Sequence, residues 1–129
     1  MKTFTIVKLV EFCASHQLKR LPEGHKCARE HGHNYEVRVC LKTSELDENG
    51  FVLDFGIVSD LIKNRYDHQN LNEVMKTDLT TAEMLALDIA EEVKEKIAEL
   101  RPAQWNRPRV VYVEVKETHT SAAIVDMEE

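Results

Sequence analysis

From residue 34 to residue 42 the chain alternates without a break, with Tyr35, Val37, Val39 and Leu41 on one face and Glu36, Arg38, Cys40 and Lys42 on the other. A period of two over nine residues leaves one solution: a strand buried on one side, in an antiparallel sheet whose other side meets water. Such a sheet needs a cover for its apolar face. The cover is written downstream, where Ala82, Leu85, Ala86, Ile89, Ala90, Val93, Ile97 and Leu100 recur at helical spacing. Thr80 with Glu83 three residues on makes a capping box at the start of this helix, and Arg101-Pro102 ends it. Ile57, Val58, Leu61 and Ile62 form a shorter helical stripe behind Asp54, a good N-cap residue.

The remaining segments read as strands. Residues 4–12 are rich in β-branched and aromatic types. Asp47-Glu48-Asn49-Gly50 is a turn signal, so residues 51–53 are expected to return as a short strand. Residues 109–118 form another strand, with Val111, Val113, Val115 and Glu117 on one face, and residues 121–125 a last short one. The expectation is an α+β domain spanning residues 1–129, an antiparallel sheet with two helices on one face.

Composition removes several function classes. Hydrophobic residues make up 43% and charged residues 31%, a balance that supports a packed core. No apolar run approaches the ~18 residues of a membrane span, and the first eight residues lack the long apolar stretch of a signal peptide. The net charge of −6 carries no basic stripe, so nucleic acid is not an expected partner. Three cysteines, Cys13, Cys27 and Cys40, are odd in number and widely spaced, which points to a reducing, cytoplasmic setting rather than a disulfide framework.

The chemistry concentrates in a few side chains. His31 and His33 flank Gly32 at the entry to a strand, where residues two apart share a face, and His16 follows the first strand. Three neutral imidazoles suit zinc and leave a fourth position open, the pattern of a catalytic site; the alternative is strand-end histidines with no common partner. Cys27 has three readings: a buried small hydrophobe, a fourth ligand that closes a structural zinc site, or a nucleophile or base. Asp67-His68 could set an imidazole tautomer for proton transfer or be merely solvated. Glu117, in register with an apolar strand face, would need donors such as the adjacent N–H and amino groups of a guanine-like or pterin ring, unless the strand ends at Lys116.

Taken together, Phe12-Cys13-Ala14-Ser15-His16, Pro22-Glu23-Gly24-His25-Lys26-Cys27, His31-Gly32-His33, Val52-Leu53-Asp54-Phe55, Asp67-His68, Leu71-Asn72, Thr81-Ala82-Glu83 and Val115-Lys116-Glu117-Thr118 occur in an order and at spacings that resemble the 6-pyruvoyltetrahydropterin synthase family. The three residues between Cys27 and His31 resemble most closely its bacterial branch, the 6-carboxytetrahydropterin synthases of queuosine biosynthesis. The resemblance implies the tunnelling fold with a four-stranded sheet, and zinc held by His16, His31 and His33. It makes Cys27 the proton acceptor, Asp67 and His68 its relay, Glu117 the pterin anchor counted also with the relay, and Thr118 a substrate contact. It further implies a pterin triphosphate substrate and a homohexamer built as a dimer of trimers, with sites between subunits. Tyr66, Thr80, His119 and Val125 depart from the residues common in that family.

Overall fold

A computed structural model describes residues 2–103 and 107–127. Its elements run β1 (Phe4–His16), a single 3-10 turn (Lys26–Ala28), β2 (His31–Thr43), α1 (Phe55–Tyr66), β3 (Gln69–Asn70), α2 (Leu71–Met75), α3 (Ala82–Leu100), β4 (Arg109–Thr118) and β5 (Ser121–Asp126). The sheet order is β3-β1-β2-β4-β5, so it has five strands where four were expected. The addition is β3, two residues that pair parallel with Ala14 and Ser15 at the edge. A segment so short carries no readable periodicity.

β1 and β2 form one unbroken antiparallel hairpin, from Phe4 opposite Thr43 to His16 opposite His31. Its inward side chains, Val10, Phe12, Ala14, Tyr35, Val37, Val39 and Leu41, build the core with Ile62, Leu85, Ile89, Val93 and Ile97 from the helices. α1 lies on β1, and α3 on β4 and β5. Among the described residues no helix lies on the opposite side of the sheet, which leaves Val7, Leu9 and Ile124 exposed. Among the described residues no helix is long and apolar enough to cross a membrane.

Three local details differ from the sequence expectation. The N-cap of α3 is Thr81, whose hydroxyl accepts the Met84 N–H at 3.2 Å, and not Thr80, which is buried. Residues 51–53 form no strand. There the Asp47 carboxylate accepts the N–H groups of Asn49 and Phe51, each at 2.9 Å, and curls the turn so that Val52 and Leu53 enter the core. Arg101 at the end of α3 holds the same carboxylate at 3.1 Å. In β4 a bulge opposite Cys40 and Leu41 leaves Val111 without a partner in β2, so Val110 rather than Val111 joins Val113 and Val115 inside. By contrast, Asp54 caps α1 as expected, its Oδ1 accepting the Gly56 N–H at 2.8 Å.

The end of α1 is anchored by Tyr66, one of the residues that depart from the family pattern. Its ring stacks on Phe12 at 5.5 Å between centroids, and its hydroxyl donates to Asp88 of α3 at 2.5 Å. Arg65 binds the same Asp88 oxygen at 3.2 Å.

Candidate active site

The hairpin register decides the site. Because His16 stands opposite His31 and Ala14 opposite His33, and because side chains two apart share a face, all three imidazoles project toward the helix-covered side. Their ligand atoms lie within 4.8 Å of one another, and His16 is fully buried. His16 Nδ1 donates to the Thr80 carbonyl at 2.7 Å, and His31 Nδ1 donates to the Arg29 carbonyl at 2.7 Å. A carbonyl can only accept, so in the neutral rings each Nδ1 carries the proton and each Nε2 presents a lone pair. Those two Nε2 atoms stand 3.1 Å apart. His33 Nε2 is buried and makes no hydrogen bond.

Two lone pairs facing at such a distance repel unless a cation lies between them. In a tetrahedral zinc site with bonds of about 2.0–2.1 Å, neighbouring nitrogens are about 3.3 Å apart. The residues present therefore fit a metal ion of the zinc type. Burial lowers the proton affinity of both His16 and His33, which keeps them in the neutral form that a metal requires.

β4 runs past Lys116 to Thr118, so Glu117 is a strand residue and its side chain joins the cluster. Its Oε2 lies 3.1 Å from His33 Nε2 and 3.9 Å from His16 Nε2. Glu117 and Thr118 border a surface hollow completed by Ala82, Glu83 and the start of β5. Tyr35 sits behind this point, its hydroxyl buried and without a protein partner. Burial, and then the nearby Glu117 charge, push its ionisation far above the ordinary phenol range, so it stays neutral.

Cys27 lies half-buried on the 3-10 turn. Its N–H donates to His25 Nδ1 at 3.0 Å and its carbonyl accepts the Leu18 N–H at 3.0 Å. It is not one of the clustered ligand atoms, which are three histidine nitrogens. Asp67 and His68 form a pair of their own, with Oδ1 to Nδ1 at 3.1 Å. The Cys13 N–H bound to Asp67 at 3.0 Å, helped by His68, holds that carboxyl below its usual range. His68 adopts φ 60° and donates its N–H to the Cys13 carbonyl. Its side chain is 80% exposed and borders a hollow with Cys13, Ser15 and Asn34, whose side chains alternate with the core-facing set. Among the described residues no hydrogen bond or ion pair joins Cys27 to Asp67 or His68. The fold thus gathers His16, His31, His33 and Glu117, pairs Asp67 with His68, and keeps Cys27 apart from that pair.

Several supporting residues leave little trace in the sequence. The Thr80 and Arg29 carbonyls act through the backbone, which any residue supplies. The Asn72 amide accepts the Gln17 N–H at 2.8 Å and donates to the Gln17 and Thr77 carbonyls at 3.0 and 3.2 Å. Gln17 Nε2 in turn donates to the Ala28 carbonyl at 2.8 Å. Asn72 thereby ties the end of β1, the Cys27 turn and the segment leading to Thr80. Its only signal in the sequence is its place in the Leu71-Asn72 motif.

The family model for 6-pyruvoyl tetrahydropterin synthase matches residues 5–128. The 6-carboxy-5,6,7,8-tetrahydropterin synthase of Bacillus subtilis is 32% identical over 128 residues, covering 95% of this chain and 84% of its own length. The enzyme of the same name from Synechocystis is 36% identical over 126 residues, with 92% and 89% covered. Among solved structures, Caenorhabditis elegans 6-pyruvoyl tetrahydropterin synthase superposes with a TM-score of 0.75 at 25% identity, covering 99% of this chain and 98% of that one.

Proposed function

The chain belongs to the 6-pyruvoyl tetrahydropterin synthase family and has its tunnelling fold, and from that premise we propose that it is a zinc-dependent lyase of queuosine (7-deazaguanine) biosynthesis. The reaction is conversion of 7,8-dihydroneopterin triphosphate to 6-carboxy-5,6,7,8-tetrahydropterin, acetaldehyde and triphosphate. The observation that carries the reading is the convergence of the three histidine nitrogens beside the Glu117 carboxylate. The names of the relatives that match over most of their length support the product.

His16, His31 and His33 hold the ion, with Thr80 and Arg29 fixing two of the rings. When bound, zinc supplies Lewis acidity that stabilises oxyanion character as protons leave the substrate side chain. Glu117 accepts from the N–H and amino group of the ring and sets its orientation, with Thr118 at the edge of the same hollow. Cys27 takes a side-chain proton as thiolate. Asp67, held as a carboxylate by the Cys13 N–H, fixes the Nδ1–H of His68 and leaves Nε2 to carry the proton onward. The exposure of His68 and its separation from Cys27 support a relay completed between subunits. This accords with a homohexamer of two trimers in which the uncovered side of the sheet is enclosed. The same reading takes residues 1–129 as one domain, small molecules as the only substrates, and the cytoplasm as the location.

Incubation with 7,8-dihydroneopterin triphosphate tests it: acetaldehyde and a carboxypterin are expected. A pyruvoylpterin product would assign the sister activity instead, the one named for the Caenorhabditis elegans structure. Cys27→Ala is expected to retain zinc and lose turnover. Loss of zinc and fold together would instead make the protein a zinc-stapled binding module.

A further inference from the structure

We propose that Gln17 is a positioning residue: through the carbonyl of Ala28, its side chain sets where the Cys27 thiol stands relative to the three histidines. The inference rests on the reading of Cys27 as the proton acceptor and deepens it.

Residues 17–30 leave the sheet at His16 and return to it at His31, which stand opposite each other in the hairpin. Apolar burial does not hold this loop in place. Residues 19, 20, 22–26, 29 and 30 are exposed, and Cys27 and Ala28 are only half-buried. Within the loop, the Cys27 N–H donates to His25 Nδ1 and the Ala28 N–H to the His25 carbonyl, each at 3.0 Å. Those bonds give the turn its shape. They do not fix its location, because His25 belongs to the same exposed segment.

Location is set by three consecutive carbonyls. That of Cys27 accepts the Leu18 N–H at 3.0 Å, that of Ala28 accepts the Gln17 amide at 2.8 Å, and that of Arg29 accepts the His31 Nδ1–H at 2.7 Å. A carbonyl only accepts, so the amide nitrogen of Gln17 is the atom that faces Ala28. Gln17 is itself clasped by Asn72, which accepts its N–H at 2.8 Å and donates to its carbonyl at 3.0 Å. Its neighbour His16 is fully buried and held by the Thr80 carbonyl. From the buried imidazole to the Cys27 turn, the link therefore runs through fixed backbone and one replaceable side-chain amide. Among the described residues no hydrogen bond or ion pair joins the Gln17 side chain to Glu117, His31 or His33. Its loss should therefore move the thiol while leaving ring anchoring and metal uptake intact. A shift of about 1 Å at a reacting group costs on the order of a hundredfold in rate.

The test compares the full chain with Gln17→Met, which keeps the length of the side chain and loses the donor, and with Gln17→Arg, which reaches at least as far and still donates. Should Gln17→Met fail to fold, Gln17→Asn, polar but too short to reach Ala28, takes its place. Alkylation of Cys27 by iodoacetamide is followed by peptide mass, which separates it from Cys13 and Cys40, in zinc-loaded and in metal-free protein. Turnover of 7,8-dihydroneopterin triphosphate is measured beside it. Gln17→Met is expected to alkylate at least about threefold faster at Cys27. Its kcat should fall at least about tenfold, with KM and zinc content within about twofold of wild type. Gln17→Arg should restore most of both. Wild-type alkylation and kcat in Gln17→Met, a raised KM at unchanged kcat, or a Gln17→Arg no better than Gln17→Met would each overturn the inference. Full turnover in Cys27→Ala would instead remove the proton-acceptor reading, and the alkylation rates would still decide whether Gln17 fixes the turn.

Discussion

Thr80→Val separates two roles that one residue combines. The Thr80 carbonyl accepts the His16 Nδ1–H at 2.7 Å, whereas its hydroxyl is buried, in a residue only 1% exposed, with no partner in the protein. An unpaired hydroxyl in such a place costs about 1–3 kcal/mol. Valine keeps the β-branch, so the carbonyl stays in position, and the added methyl contributes up to about 0.8 kcal/mol of burial. The net expectation is a gain of about 1–4 kcal/mol, which for a chain of this size raises Tm by roughly 3–16 °C. Thermal unfolding of the metal-stripped protein followed by circular dichroism, at one protein concentration, measures the gain; zinc content after reconstitution should equal that of wild type. A lower Tm would show that the hydroxyl is hydrogen-bonded after all. A higher Tm with lost zinc would show that the side chain, and not the carbonyl, orients His16.

Tyr66→Phe removes the hydroxyl that donates to Asp88 but leaves Arg65 on the same oxygen, so a loss of about 1–2 kcal/mol is expected, and an unchanged Tm would refute it. Asn72→Ala strips three hydrogen bonds from a half-buried amide and should cost about 2–3 kcal/mol. It should also speed alkylation of Cys27, because the Gln17 bridge to the Cys27 turn loses its support; an unaltered alkylation rate would reject the bridge. Stability of the metal-free protein should depend on pH through His16 and His33, whose proton affinities burial lowers from the ordinary imidazole value of 6.5. Below about pH 6.5 the unfolded chain binds more protons than the folded one, so stability is full above that pH and falls as the pH drops toward the lowered folded values. Urea midpoints between about pH 7 and 5 would reveal this, and a flat profile would contradict it.

The elements with strong periodicity are legible in the amino-acid sequence alone. The alternation of residues 34–42 and the stripe from Ala82 to Leu100 define a sheet covered by a helix, and Asp54 marks the start of α1, because burial patterns and caps are local properties of side chains. The three histidines and Glu117 are legible as candidates for the same kind of reason: polar groups at a strand entry or on an apolar strand face need partners. Placement is what the sequence does not contain. Only the thirteen-residue pairing of β1 with β2 puts His16 opposite His31, and only the packing of α3 brings the carbonyl of Thr80 to His16. The same holds for Thr81 displacing Thr80 as the cap, for residues 51–53 entering the core instead of pairing, and for β3 at the sheet edge. Cross-strand register and backbone carbonyls have no residue-type signature; they are set when whole elements dock. That docking also decides that Glu117 meets the histidines within one chain while Cys27 and the Asp67–His68 pair do not meet there.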